Sequence, residues 1–221
     1  KGKGRLGRVW KSKSGDGIWM SLIIKPKIEP YKAPFLTLVA GASVVKALSN
    51  LGVEASIKWP NDIIVHNKKI CGILTELSAE MERVNYVVIG IGINIKTIDF
   101  PDEIKEKATS LYKEGYKLSR VDIVRQFCIE FEKLYKGYIL DGNKQDTLEL
   151  CRKYSAIIGK QVYVIKNNKR ELVKCIDINE NGNLIVKEKN GNVNIITKRL
   201  SKRNRRKNEQ LRNRNKTKAS I

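Results

Sequence analysis

The chain has 221 residues, with 44 lysines and arginines against 23 aspartates and glutamates, and a formal net charge of +21 at pH 7. That length holds one good-sized domain, or a domain with a small module, around a real core. No run of about 18 apolar residues marks a membrane span, and one histidine, His66, with four widely spaced cysteines, Cys71, Cys128, Cys151 and Cys175, cannot assemble a zinc site or a histidine-based triad.

The cysteines are expected as reduced thiols in or near a core. No signal-peptide pattern follows Lys1, and a start at lysine in place of methionine is read as a truncated beginning. The charge is uneven: from Lys198 onward, eleven cations stand against Glu209 alone, so the last 24 residues carry nearly half of the excess.

In chain order, Gly2-Lys3-Gly4-Arg5-Leu6-Gly7-Arg8-Val9-Trp10 alternates glycines with cations. Backbone amides there can approach an anion closely while Lys3, Arg5 and Arg8 supply charge. It is neither the Walker phosphate loop nor the dinucleotide fingerprint. On spacing alone, a basic terminal arm and an anion-binding loop both stay open.

After a polar turn over Lys11 to Gly17, Ile18 to Ile24 reads as a buried-type strand ended by Pro26. Trp10 and Trp19 suit a core, with Trp10 preferred against a bound planar group because it follows the loop. Pro34 then opens a helix with Leu36, Val39, Ala40, Ser43, Val44, Ala47, Leu48 and Leu51 at three-and-four spacing, closed by Gly52.

Ile57-Lys58-Trp59-Pro60-Asn61-Asp62-Ile63-Ile64-Val65 places a proline turn carrying Asn and Asp between two β-like runs. A hairpin-like turn, His66-Asn67-Lys68-Lys69, leads into Ile70-Cys71-Gly72-Ile73-Leu74, with His66 solvated. Strands are predicted over residues 70 to 78 and 84 to 95. In the second, Gly90 and Gly92 imply either a ligand lying on the backbone or a crowded packing site.

A loop with Pro101 and the run Ala108-Thr109-Ser110-Leu111 precede a helix from Ser119 to about Tyr138. Its predicted buried face is Val121, Ile123, Val124, Phe127, Cys128, Phe131, Leu134 and Tyr135, and Ser119 with Asp122 caps its start. A third helix is predicted from about Lys144 to Tyr154. From Gly159 the texture changes to short alternating strands separated by Asn181-Gly182 and Asn190-Gly191 turns, a small barrel of about forty residues.

The glycine-arginine loop, the Lys58-Trp59-Pro60-Asn61-Asp62 turn, the Lys69-Ile70-Cys71-Gly72-Ile73-Leu74 run and Gly90-Ile91-Gly92-Ile93-Asn94, in this order, resemble the biotin protein ligases over roughly residues 1 to 197. The resemblance implies an α/β (α+β) fold: a class II synthetase-like catalytic domain with a mixed sheet over residues 1–155, an SH3-like β-barrel over 156–197, and a basic tail over 198–221. Family domains begin upstream with a strand, a helix and a biotin-contacting segment, which are not in this chain. The tail also departs from the family's last barrel strand.

The activity implied is ATP-dependent: biotin and ATP give biotinyl-5′-AMP, and biotin then passes to a lysine of a biotin carboxyl carrier protein. By resemblance, Lys3, Gly4, Arg5 and Lys69 bind biotin, with Arg5 clamping the carboxylate or α-phosphate through its planar fork. Arg8, Trp10, Lys58, Asn61 and Asn94 serve the nucleotide, Lys58 adding positive field or pairing with Asp62. Arg5, Lys69 and Asp62 are the catalytic candidates, and Asp62 would hold Mg²⁺ or orient the acceptor amine.

A cytoplasmic setting and a homodimer are compatible with this reading, and neither DNA nor a membrane is expected as a partner. Alternatives are a lipoate-ligase-like acyl-adenylate transferase, a degenerate biotin binder, and a nucleic-acid-binding protein that uses the basic tail.

Overall fold

The computed structural model describes residues 2–3, 9–10, 15–166, 169–197 and 201–202, with side chains described over 15–164 and 170–197. The strands are β1 (Gly2–Lys3), β2 (Val9–Trp10), β3 (Gly17–Ile24), β4 (Ser56–Lys58), β5 (Asp62–Val65), β6 (Lys68–Ala79), β7 (Val84–Asn94), β8 (Gln161–Lys166), β9 (Lys169–Ile178), β10 (Leu184–Lys187), β11 (Val193–Ile196) and β12 (Ser201–Lys202). The helices are α1 (Leu36–Asn50), α2 (Arg120–Leu140) and α3 (Gln145–Lys153).

The main sheet runs β3-β7-β6-β5-β4, antiparallel throughout, and β12 adds a parallel pairing on β6. β5 accompanies only the first part of β6, so β12 takes the vacated side, with Ser201 opposite Glu76 and Lys202 opposite Leu77. Two residues expected in the tail therefore belong to the sheet.

One face of this sheet packs on α1. Cys71, Ile73, Ile89, Ile91 and Ile93 are buried, and Thr37 of α1 donates its hydroxyl to Thr75 at 2.9 Å. A 3-10 turn, Pro30–Phe35, feeds α1 where the proline pattern predicts a helix start. Gly52, at φ +81°, ends it: the Gly52 amide reaches the Ser49 carbonyl and the Val53 amide the Leu48 carbonyl, closing the last turn. The 21-residue run from Pro30 to Asn50 is long and apolar enough to cross a membrane, contrary to the composition-based expectation. Here it is the core helix, with twelve of the α1 residues buried.

α2 covers α1 from the far side. Ser119 caps it by accepting from the Val121 amide at 3.2 Å, and Ile123, Phe127, Phe131, Leu134 and Tyr138 form the buried stripe. Val121 (74% exposed) and Cys128 lie outside that stripe, against expectation, because only a narrow face of α2 meets α1. β3 is likewise an edge strand, with Ile23 69% exposed, and not the fully buried strand that its apolar run suggests.

The C-terminal strands form a separate antiparallel meander, β8-β9-β10-β11. Its inward residues Val173, Cys175, Ile178, Leu184 and Val186 join the same apolar cluster as α1. The connection from α3 is pinned as well: residues 154–156 pair with the free edge of β4, the Ile57 amide donating to Tyr154 at 2.7 Å and the Ala156 amide to Ile57 at 2.9 Å.

Candidate active site

The face of the main sheet away from α1 is the candidate site. Directly opposed residues share a face, so the register places Trp19, Gly92, Gly72, Asp62 and Lys58 in one row across five strands. Ser21, Gly90 and Leu74 form the next row. Burial follows the alternation: Cys71, Ile73 and Thr75 are buried on the α1 side, while Gly72, Leu74 and Glu76 between them are half-buried. Among the described residues, the middle of this face is thus formed by three glycines, with Trp19 on one side and charged residues on the other.

A Cβ added at Gly90 would meet the Leu74 carbonyl at 3.6 Å, the Leu74 Cβ at 3.9 Å and the Ser21 Oγ at 4.0 Å, all ordinary contacts. Crowding within the protein is not why glycine stands there. The other expectation, a surface on which something lies, is the one that this geometry favours. Gly17 differs: a Cβ would come within 2.6 Å of the Trp19 ring and 2.5 Å of the Ile93 carbonyl. That glycine lets the indole fold down against the sheet.

Lys69 reaches this face through a β-bulge. Ile63 pairs with Cys71 and Ile64 with Lys69, leaving Ile70 as an extra residue. Without it, the period of two would send Lys69 to the α1 side; with it, Lys69 shares a face with Asp62. The Lys69 ammonium lies 2.6 Å from the Asp62 carboxylate, at 28% and 30% side-chain exposure. Lys58 is exposed, opposes Asp62 in register, and makes no ion pair among the described residues, so the partner of Asp62 is Lys69.

The turn before Lys69 is shorter than expected. His66 and Asn67 alone form it, at φ +46° and +64°, and Lys68 and Lys69 already belong to β6. The Lys69 backbone is then gripped by the loop after β7: its amide donates to the Lys107 carbonyl at 2.8 Å, and the Thr109 amide donates to its carbonyl at 2.9 Å. Glu114 ties this loop to the turn, accepting from the Thr109 hydroxyl at 2.6 Å and pairing with the His66 ring at 2.5 Å. Burial raises the Glu114 pKa, but the bonds from Thr109 and His66, with the charges of His66 and Lys68, outweigh it and hold the carboxyl below its ordinary value. His66 sits in an exposed turn, as expected, yet not without a role.

Asn61 and Asn94, expected at the nucleotide, have their amide nitrogens engaged internally. Asn61 is 8% exposed and donates to the Ile73 carbonyl at 2.8 Å; Asn94 is 2% exposed and donates to the Thr109 carbonyl at 3.0 Å. Both brace the backbone around Lys69 and Asp62. Beneath, the Cys71 thiol is pushed up to about 12 by burial, with Lys69 lowering and Asp62 raising it, so it is no nucleophile.

Of the glycine-arginine loop, the flanks are described: β1 and β2 pair antiparallel, Gly2 opposite Trp10 and Lys3 opposite Val9. Gly4, Arg5 and Arg8, and the side chains of Lys3 and Trp10, lie outside the described residues. The roles of Thr109 and Glu114 were not legible in the sequence, because the groups they hold, the Lys69 backbone and the His66 ring, stand about forty to fifty residues away.

Comparison with known proteins points to the family that the motifs resemble. Residues 1–94 match the model of the biotin/lipoate A/B protein ligase family. The bifunctional ligase/repressor BirA of Bacillus spizizenii is 42% identical over 194 residues, 86% of this chain and 59% of that protein. The biotin--[acetyl-CoA-carboxylase] ligase of Mycobacterium tuberculosis is 33% identical over 119 residues, 52% of this chain and 42% of that one. The chain thus spans about three fifths of the length of the Bacillus relative. Among solved structures, the biotin protein ligase from Aquifex aeolicus in complex with biotin and ATP superposes with a TM-score of 0.76 at 27% identity, over 90% of this chain and 84% of that one. With its motifs, its sheet and these relatives taken together, the chain is similar to the biotin/lipoate A/B protein ligases, whose family model matches its first 94 residues.

Proposed function

We propose that the protein is an ATP-dependent biotin ligase, and that the open sheet face holds biotin beside the α-phosphate of ATP. The observation that carries this is the Lys69–Asp62 pair set by a bulge at the rim of a glycine-floored face. The names of the relatives support the substrates: one structural neighbour was solved with biotin and ATP, and the mycobacterial relative is a biotin--[acetyl-CoA-carboxylase] ligase.

In the first half-reaction the biotin carboxylate attacks the α-phosphate, giving biotinyl-5′-AMP and pyrophosphate. Two anions must meet, so a fixed ammonium between them lowers the barrier. Lys69 fills this role, its backbone clamped by Lys107 and Thr109 and its side chain aimed by Asp62. Arg5, Lys3 and Gly4 would bind the carboxylate and phosphate, with Arg8, Trp10 and Lys58 contributing to the nucleotide. Asn61 and Asn94 act from beneath, by holding the backbone on which Asp62 and Lys69 stand.

In the second half-reaction a carrier lysine amine attacks the acyl carbon and AMP leaves. Asp62 would orient that amine once Lys69 turns to the adenylate. The described residues include no cluster of three metal-binding side chains, and Asp62 is already paired to an ammonium. Mg²⁺ would therefore arrive on the phosphates of ATP, with Asp62 offering at most one oxygen. The acceptor is a biotin carboxyl carrier domain of a carboxylase, the catalytic unit is residues 1–155, and residues 156–197 are an SH3-like module. A self-paired dimer is compatible with this arrangement.

The test is biotin-dependent release of pyrophosphate from ATP by the 221-residue chain, run against lipoate as the competing acid. Release with biotin and none with lipoate supports the reading; release with lipoate alone replaces it with the lipoate branch of the family; release with neither removes it.

A further inference from the structure

The turn that delivers Asn61 and Asp62 to the site is tied to the C-terminal sheet: the Trp59 indole N–H donates to the Gly182 carbonyl at 3.0 Å, across 123 residues of chain. Gly182 belongs to the turn between β9 and β10, which Asn179 shapes. Its Oδ1 accepts from the Asn181 amide at 3.0 Å and the Asn183 amide at 2.9 Å, and its carbonyl accepts from the Gly182 amide at 2.8 Å.

That turn has no slack. Gly182 stands at φ +78°, and a Cβ there would run into Leu38 and come within 3.3 Å of Phe35, both at the start of α1. The sheet behind it is fixed too, by Arg152 of α3, whose guanidinium donates to Asp177 at 2.8 Å and to the Ile178 carbonyl at 2.7 Å. The acceptor for Trp59 is therefore a rigid point on a seated sheet. The donor sits three residues from Asp62 on a three-residue strand connection.

We propose that Trp59 is a positioning residue: through Gly182 it uses the C-terminal sheet to hold the 59–62 turn so that Asp62 stays in reach of Lys69. This rests on the ligase reading above. It differs from a packing role, which would need the ring of Trp59 but not its N–H.

The test is a pair of variants, Trp59→Phe and Gly182→Ala, and their combination, read by two measurements. The first is kcat for biotin-dependent pyrophosphate release. The second is hydrogen exchange at the Ile73 amide, which donates to the Asn61 carbonyl at 2.9 Å and so reports whether the turn is seated. Loss of one neutral hydrogen bond predicts a fall in kcat of about three- to tenfold in Trp59→Phe, with KM for biotin unchanged and Ile73 exchange faster by a similar factor. Because both substitutions break one link, the double variant should be no slower than the slower single.

Wild-type kcat and exchange in Trp59→Phe would overturn the proposal, as would multiplied effects in the double variant. Should Gly182→Ala fail to fold, Trp59→Phe decides alone. Should the wild-type chain release no pyrophosphate, the ligase reading falls while Ile73 exchange still decides whether Trp59 seats the turn.

Discussion

Replacing Gly90 by alanine separates the two reasons that a glycine can occupy a strand. Its φ is not in the positive range that disfavours alanine, and the added methyl would meet nothing nearer than 3.6 Å among the described residues. Stability should then rise, because alanine restricts the unfolded chain, by about 0.4–1 kcal/mol. For a chain of this size that is a Tm increase of about 1–4 °C. If biotin lies on the row formed by Ser21, Gly90 and Leu74, the same methyl overpacks the bound ligand, at about 1–3 kcal/mol, or about five- to 150-fold in Kd. Thermal melting and titration calorimetry with biotin read the two effects on one sample. A variant that loses more than about 4 °C in Tm yet binds biotin as the wild type does would refute the ligand-floor argument and restore the crowding one.

Thiol counting tests the burial pattern: Cys128 is exposed, whereas Cys71 and Cys151 are buried with thiols pushed up to about 12, and Cys175 is buried and shifted up as well. One thiol should react promptly with a disulfide reagent in the native protein and all four in denaturant; two or more prompt thiols would contradict the packing of β6, α3 or β9. Glu114 should leave a signature in acid. Its folded-state pKa is depressed, so its contribution is present above the unfolded value of 4.5 and is lost as pH falls below that toward the folded value. Glu114→Gln should flatten this part of the stability–pH curve by lowering the level above pH 4.5 toward that of the wild type in acid; an unchanged acid limb would mean that the His66–Glu114–Thr109 link is not formed. Gly17→Ala should displace the Trp19 indole, costing about 1–3 kcal/mol and shifting tryptophan emission to the red; unchanged emission and Tm would show that the contact at Gly17 relaxes freely.

Local chemistry made much of this legible. The apolar spacing with Gly52 at its end marks α1, Ser119 marks the start of α2, and the Trp59-Pro60-Asn61-Asp62 turn stands between two β-like runs. What escaped the sequence is set by partners distant in the chain. Val121 and Cys128 continue the apolar spacing of α2, yet α1 covers only the stripe through Ile123, Phe127, Phe131, Leu134 and Tyr138. The bulge at Ile70 has no glycine or proline to announce it, although it decides which face Lys69 presents. Asn61 and Asn94 carry the chemistry of ligand contacts, but their amide nitrogens serve Ile73 and Thr109. The family resemblance named Lys69 and Asp62 as separate candidates; only the register brings them to 2.6 Å.

If the Lys69–Asp62 rim of the open face performs adenylation, pyrophosphate release by the wild-type chain and by Lys69→Ala will show it. At 28% and 30% exposure the pair contributes at most about 1 kcal/mol to stability, so the variant should stay folded by circular dichroism. Biotin-dependent release is expected in the wild type and a loss of about tenfold or more in Lys69→Ala, as for a charge-assisted contact worth about 1.5–3 kcal/mol. A folded Lys69→Ala variant that releases pyrophosphate at the wild-type rate would contradict it.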